Sequence, residues 1–507
     1  MTTSDASAPT HPGRRRTVIT TVTLLTAVLA GPPGVPPAQA AASAQAVTPA
    51  AQAAASAQAV TPAARADAPA TKPRRAACPS GLAAKATCYT GRDAHGAYYA
   101  MAVPKRWNGS LVVHAHGGPD ASYDASTPTE DLARWAVMVD QGYAWAASSY
   151  RRGGYGVRMA AADTENVRRL FVARFGRPSR TYLHGQSWGG NVAAKVAETY
   201  GTKRGAYHGM LLTSGNLSGG SRGYDHRVDL RVVYQYYCRN LPRPSERQYP
   251  LWQGLPAGSP LTPAAIQARL QECTGIDSDE RTARQQRNLD DILAVTRIQE
   301  KSLKTDLLYA TYLFQDIVFK RLGGRNPFGN RGVRYTGSHD DKALNAGVAR
   351  FSPDPSARRD LSYDSDLTGR VNIPVLSLHA INDPQVVVEH EAAYRATLKA
   401  AGRDGRLVQT FTTESEHGEL SNSEYAASIT ALDKWARTGR KPALDAIARS
   451  CDSFERTYDS GCYYDSSFHP EAFATKIPPR PGGLRWPAMT AAQERVWSRI
   501  DGVGIAP

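Results

Sequence analysis

Cysteine is scarce in this chain, six among 507 residues, and long hydrophobic runs are scarcer. Beyond the apolar stretch from Val18 to Ala30, no segment reaches the ~18 consecutive apolar residues that a membrane span demands. No dense Lys/Arg run interleaved with aromatics occurs, and no zinc-finger spacing, so nucleic-acid binding and a metal site are set aside. The net charge of +15 does not restore the nucleic-acid reading. Up to Arg75 the chain holds seven basic residues against Asp5 and Asp67, so +5 belongs to the amino-terminal segment and the remaining +10 is spread over a large body.

What is present points to an exported protein. Arg14-Arg15-Arg16 precedes the apolar stretch, and Ala38-Gln39-Ala40 is a small-residue cleavage site, so residues 1–40 are expected to be a signal peptide cut after Ala40. The arginine run fits either a twin-arginine route or an ordinary basic flank. Residues 40–52 recur almost unchanged as 53–65. With few bulky side chains to offset ordering entropy, residues 41–75 are expected to be a disordered spacer or propeptide. In the oxidising compartment this address implies, an even cysteine count favours disulfides. The cysteines fall into three locally spaced couples, expected as Cys78–Cys88, Cys238–Cys273 and Cys451–Cys462. Each would contribute about 3 to 4 kcal/mol by loop entropy.

From Tyr98 onward, apolar strand-like runs alternate with helical patterns: Tyr98 to Val103, Leu111 to Ala115, Tyr143 to Ala147, Thr181 to His184, Met210 to Thr213, Val375 to His379 and Leu407 to Phe411. Buried runs separated by helices predict an α/β fold whose mostly parallel sheet is covered on both faces. The rhythm breaks between about Asn216 and Arg370, where polar, Tyr-rich and Arg-rich helical stretches stand before the sheet resumes. The expected division is a catalytic domain over 76–216 and 371–445, a largely helical cap over 217–370, and a C-terminal extension with a disulfide over 446–507. On such a sheet an insertion of this kind lies over the strands' carboxyl ends, where ligands bind.

Ser187 stands in Gly185-Gln186-Ser187-Trp188-Gly189, between the apolar run ending at His184 and a helix-like run from Asn191 to Glu198. Strand, sharp turn and helix together lift a serine Oγ into reach of substrate, and the flanking glycines avoid collision with the neighbouring backbone. A serine needs a base, and the base a carboxylate that fixes its tautomer. Asp383 follows Val375 to His379 by a short loop, and His417 follows Leu407 to Phe411 in Glu414-Ser415-Glu416-His417-Gly418. Each alone has a bland reading, a turn-forming Asp-Pro or a solvated loop histidine. The joint order Ser187, Asp383, His417, each after its own strand, points to nucleophile, acid and base. Glu389 and Asp404 are weaker rivals for the acid; His184, His379, His390 and His469 are set aside as packed or remote. Oxyanion donors are expected from Gly117 and Gly118 in His116-Gly117-Gly118-Pro119 and from the backbone of Trp188.

These motifs resemble the alpha/beta-hydrolase superfamily, over roughly Tyr98 to Asn216 and Val371 to Arg440. His-Gly-Gly-Pro with Gly-x-Ser-Trp-Gly-Gly is similar to the prolyl oligopeptidase and proline iminopeptidase branches. The chain departs from the former in having no propeller-sized segment ahead of the hydrolase body, and from the latter in Asp120-Ala121-Ser122. The resemblance implies an alpha/beta-hydrolase fold and a secreted serine hydrolase needing no cofactor. Its expected substrate is a small-molecule or oligomeric carboxylic ester. The alternatives are an aminopeptidase or amidase, with Asp277, Asp279 and Glu280 as candidate ligands for a substrate ammonium, and a non-catalytic binding protein of the same fold. Tyr234, Tyr236, Tyr237 and Trp252 are the expected apolar substrate contacts, with the cap's own core as the competing role. Oligomeric state is left open.

Overall fold

The computed structural model describes residues 71–201 and 205–480. The expected signal peptide and most of the spacer, residues 1–70, lie outside the described residues, as does the end of the C-terminal extension. Nine strands form one sheet: β1 (Arg74–Ala76), β2 (Ala86–Arg92), β3 (Tyr98–Pro104), β4 (Ser110–Ala115), β5 (Ala144–Ser148), β6 (Arg180–Gln186), β7 (Gly209–Thr213), β8 (Val375–Ala380) and β9 (Leu407–Thr412). Their order is β1-β2-β3-β5-β4-β6-β7-β8-β9. The first three pairings are antiparallel, and from β5 to β9 every pairing is parallel. This is the alpha/beta-hydrolase fold.

β4, β5, β7, β8 and β9 are buried at every residue, so they lack polar alternation. The period of two survives as a division between two cores. Leu111, Val113, Leu183, Met210 and Leu212 face one, beneath the helices Val157–Phe175 and Trp188–Tyr200. Val112, Tyr182, Leu211, Leu376 and Val408 face the other, beneath Thr127–Arg134, Asn422–Thr438 and Leu444–Tyr458. Each strand thus supplies apolar side chains to both layers of helices.

The seven expected strands are present, and two lie further upstream. β2 reads Ala-Thr-Cys-Tyr-Thr-Gly-Arg with its last three residues partly exposed, so it has no continuous apolar run to betray it. Residues 71–75, assigned above to the spacer, are part of the ordered edge: the Thr71 N–H donates to the Arg92 carbonyl and Arg74–Ala76 pairs with Cys88–Thr90.

Between β7 and β8 the chain builds a helical region with its own core of Leu230, Val233, Tyr234, Ile266, Leu270, Leu289 and Ile292. Its central helix, Asp225–Cys238, is tied to Pro263–Thr274 by the disulfide Cys238–Cys273. The disulfides Cys78–Cys88 and Cys451–Cys462 hold the sheet edge and the C-terminal helix. The C-terminal residues do not stand apart. Tyr464 bridges Thr412 of β9, and Arg480 pairs with Asp229 at 2.8 Å at the base of the cap. No helix among the described residues is long and apolar enough to cross a membrane.

Candidate active site

Because the strands from β4 to β9 run parallel, their carboxyl ends share one edge, and the loops leaving that edge carry His116, Ser187, Asn216, Asp383 and His417. Ser187 occupies the turn between β6 and the helix Trp188–Tyr200 with φ 58° and ψ −127°, a region L-residues rarely adopt. The flanking glycines are there for close approach. A Cβ on Gly185 would lie 2.2 Å from the Gly189 carbonyl oxygen, and one on Gly189 would lie 2.1 Å from the Ala115 oxygen. Hydrogen bonds pin the turn, from Ser187 N–H to the Thr213 carbonyl at 3.0 Å and from Asn216 N–H to the Ser187 carbonyl at 2.9 Å.

The structure brings Ser187, His417 and Asp383 together. Ser187 Oγ is 2.8 Å from His417 Nε2, and His417 Nδ1 is 2.9 and 2.8 Å from the two Asp383 oxygens. With Asp383 accepting at Nδ1, Nε2 is left as the acceptor for the serine proton. Asp383 is buried, and its Oδ1 also accepts from the amides of Gln385 and Val386 at 2.9 Å. Burial pushes its carboxyl up, but His417 beside it, then His379 and the Val386 amide, outweigh this and hold it below its ordinary range. The set-aside groups are elsewhere. Asp404 is at the opposite end of β9, and His184 is buried between His114 and Thr213, its pKa pushed down to about 3 by burial. His390 accepts from the Ser218 amide, and His469 is held by its own loop.

His379 is buried behind Asp383, with more than a packing role. Its Nδ1 is 3.2 Å from Glu391 Oε1, its Nε2 is 2.8 Å from the Val386 carbonyl, and Asp383 Oδ2 is 3.7 Å away. Glu391 also accepts from Ser377 Oγ at 2.7 Å and Gln409 Nε2 at 2.5 Å. Acceptors beside both ring nitrogens favour the protonated form of His379: burial pulls its pKa down, but the Glu391 hydrogen bond and the charges of Glu391 and Asp383 raise it above normal.

Gly117 adjoins the serine, since a Cβ there would lie 3.8 Å from Ser187 Cβ. The Trp188 N–H is the first of its helix and has no intrahelical acceptor, and Gly118 and Trp188 both border the cavity over Ser187. Behind the loop, His116 is bound to Asp131 at 2.7 Å and to Asp120 at 3.4 Å. Burial alone would lower its pKa, but these two carboxylates hold it at about 9.

The cavity over Ser187 is about 20 Å³, room for little more than one water. Gly118, Pro119, Trp188, Asn216, Gln385 and Val386 line its floor, and Tyr224, Arg227, Tyr309 and Leu313 descend from the cap. These cap side chains narrow the space over Ser187. Two of them lie on Tyr309–Leu313, a π-helical segment continuing the helix Leu303–Leu308; such widened turns recur at functional sites.

The expected aromatic contacts lie away from this cavity. Among the described residues, none of Tyr234, Tyr236, Tyr237 and Trp252 lines this cavity. Tyr234 is fully buried in the cap core, its hydroxyl 2.7 Å from Asn240 Oδ1, and Tyr236 and Tyr237 pack edge to face. Trp252 is partly buried against the neighbouring core. The reason is distance along one helix: Tyr234 is seven residues, or about 10 Å of axial rise, beyond Arg227. The signal pointing to Tyr224 and Arg227 was their place nearest the strand end.

Sequence reasoning also missed residues that hold the loops of Asp383 and His417. Arg134 Nη2 donates to the Gly418 carbonyl at 2.8 Å. From the cap, Lys301 Nζ reaches the Ser415 carbonyl at 2.7 Å and Glu416 at 2.9 Å, and Gln299 Nε2 the Asn382 carbonyl at 3.2 Å. Neither Asp277, Asp279 nor Glu280 lines the cavity; Asp277 pairs with Lys304. A larger hollow of about 650 Å³, between Arg222 and Arg480, shares no lining residue with the Ser187 site. A further grouping of ligating side chains, Asp452, Glu455 and Cys462, has its sulfur already in a disulfide.

No protein-family model and no curated protein matches the chain. Among solved structures it is similar to lipase A of Candida antarctica in its closed state, at 13% identity and TM-score 0.39 over 74% of this chain and 84% of that one. An esterase from Aspergillus oryzae aligns at 13% identity and TM-score 0.37 over 71% of this chain and 81% of that one. A rice cell wall degrading esterase from Xanthomonas oryzae aligns at 12% identity and TM-score 0.34 over 78% and 100%.

Proposed function

We propose that this chain is a secreted serine hydrolase that cleaves carboxylic esters through an acyl-enzyme. The observation that carries the reading is the continuous hydrogen-bonded line from Ser187 Oγ through His417 to the buried Asp383, at 2.8 to 2.9 Å, on three separate strand ends. In this reading His417 Nε2 takes the Ser187 proton as Oγ attacks the ester carbonyl, and Asp383 stabilises the imidazolium. The oxyanion is received by backbone amides of the Gly117-Gly118 loop and of Trp188, at the positive end of a 13-residue helix. His417 then gives its proton to the departing alkoxide, releasing the alcohol. A water, deprotonated by the same nitrogen, attacks the acyl-enzyme and releases the acid, restoring Ser187. The three disulfides support an oxidising destination, and the signal peptide over 1–40 remains part of the proposal.

The aminopeptidase reading requires a carboxylate facing the substrate ammonium. The charged side chain bordering the cavity is instead Arg227, which favours the ester reading. A matched panel of p-nitrophenyl esters and aminoacyl-p-nitroanilides, assayed on the secreted protein, tests this. Ester turnover with little anilide turnover is expected; the reverse ranking would overturn it.

A further inference from the structure

The charged side chain at the roof of the site has donors to spare. Arg227 is 4% exposed, and its Nε donates to Asp306 Oδ1 at 2.9 Å. Its guanidinium lies between two aromatic rings, 5.3 Å from the Tyr224 centroid and 4.8 Å from that of Tyr309, which fixes its plane. The terminal nitrogens have no acceptor among the described residues, and Arg227 lines the cavity that Ser187, Gly118 and Trp188 also line. Those donors are available to an acceptor that enters the cavity. Beside the guanidinium, Asn216 Oδ1 is buried without a hydrogen-bond partner and Gln385 also lines the cavity, so several polar groups converge on it.

The charge around Arg227 decides what kind of acceptor fits. Asp306 is buried directly behind it, held also by Ser302 Oγ at 3.1 Å, and Asp120 lies on the loop after Gly118. One guanidinium is thus set against one buried carboxylate, while Asp120 is already paired with His116. A substrate carboxylate would enter a field already neutralised and would lose its hydration for little return. An uncharged oxygen loses less hydration and still receives a charge-assisted hydrogen bond.

We propose that Arg227, braced by Asp306, Tyr224 and Tyr309, is a specificity-determining residue that receives an uncharged carbonyl oxygen of the substrate a few bonds from the scissile ester. The substrate class is then an oligomeric or acyloxy-substituted ester, in which a second ester carbonyl follows the one attacked by Ser187. The inference rests on the ester-hydrolase reading above.

The test compares three p-nitrophenyl esters of similar shape: the 3-acetoxybutanoate, its apolar counterpart 3,5-dimethylhexanoate, and the anionic 3-methylglutarate monoester. Nitrophenolate release gives kcat/KM for each, with p-nitrophenyl acetate as the reference for ester cleavage itself. The acetoxy ester is expected to exceed both others by about tenfold or more, the worth of one charge-assisted hydrogen bond. In Arg227→Lys, which keeps the charge but loses the planar fork, the preference is expected to collapse to within about twofold. Should that variant fail to fold, the Arg227→Gln, Asp306→Asn pair removes both charges together and leaves no unpaired buried carboxylate. Equal rates for the acetoxy and apolar esters, preference for the anionic ester, or a preference that survives substitution of Arg227 each overturn the proposal. Absence of turnover even on p-nitrophenyl acetate instead overturns the ester reading on which it rests.

Discussion

The carboxyl edge of the sheet and the cap above it use their residues differently. At the sheet edge, Ser187, Asp383 and His417 each sit within a few residues of a strand end, so backbone geometry places them almost without help. In the cap, position along a helix decides everything. Tyr224 and Arg227, at the start of Asp225–Cys238, border the cavity, while Tyr234 and Cys238, at its far end, are locked into the cap core. On the proposed function, the sheet would carry the chemistry, and the cap would carry selectivity and stability in separable parts. Gln299 and Lys301 join the two, reaching the loops of Asp383 and His417.

The largest effect separating the two regions is expected at the nucleophile. Ser187→Ala should lower ester turnover by about 10⁴-fold or more and remove labelling by a fluorophosphonate, since that probe needs an activated serine. His417→Ala and Asp383→Asn should lose comparable activity while far-ultraviolet circular dichroism stays unchanged. Persistent labelling of the Ser187 variant would move the nucleophile elsewhere.

One step further from the reacting atoms, Glu391→Gln removes the carboxylate that raises the pKa of His379 behind Asp383. With His379 less readily protonated, the Asp383 carboxyl should be held down less strongly, and the acid limb of the kcat/KM profile should move to higher pH. A profile that falls in amplitude without moving would reduce His379 to a packing residue.

In the cap the expected losses are of stability. Replacing Cys238 and Cys273 by serine should cost about 3 to 4 kcal/mol and lower the thermal midpoint, with fluorophosphonate labelling of Ser187 retained below it. Labelling lost in step with the disulfide at temperatures where the sheet remains folded would mean that the cap's integrity sets the catalytic geometry.

A smaller, pH-dependent effect is expected at Glu414, on the loop leading to His417. Burial, and then the charge of Glu424, push its pKa from 4.5 to about 8. The folded chain therefore holds a proton that the unfolded chain releases, so this group's contribution to stability declines as pH rises from about 4.5 to about 8 and is level beyond. Glu414→Gln should flatten that decline in denaturant titrations across the range. An unchanged slope would show that Glu414 ionises normally. Smallest of all should be Tyr236→Ala and Tyr237→Ala, which are expected to soften the cap slightly and leave acyl preference as it was. A shifted preference would return them to the substrate.

Local sequence was enough wherever one turn or one period carries the information. The alternation of apolar runs and helical patterns marked seven strands, and the glycines around Ser187 announced a turn whose close contacts leave no room for a Cβ. β1 escaped because a short edge strand with exposed residues buries too little to be periodic, and β2 because its partly buried polar residues break any continuous apolar run. His379 was legible as a buried strand residue, but its charge was not, because that depends on Glu391, twelve residues on and one helix away. The place of the cap aromatics was not legible for a related reason: composition supplies aromatic surface, and only the packing of Asp225–Cys238 against Pro263–Thr274 and Ala283–Thr296 decides which rings face inward.

By itself, then, the sequence determined what covalent order and short-range geometry dictate: the strands, the strained serine turn, and the succession of Ser187, Asp383 and His417 along the chain. Tertiary structure alone decided the quantities that depend on distance between remote segments. These are the 2.8 Å from Ser187 to His417, 230 residues apart, the raised pKa of His379, and the descent of Arg227 and Tyr309 into a cavity about one water wide. The physical reason is that hydrogen bonds and desolvation act over a few ångströms of space, and only folding sets which residues share them.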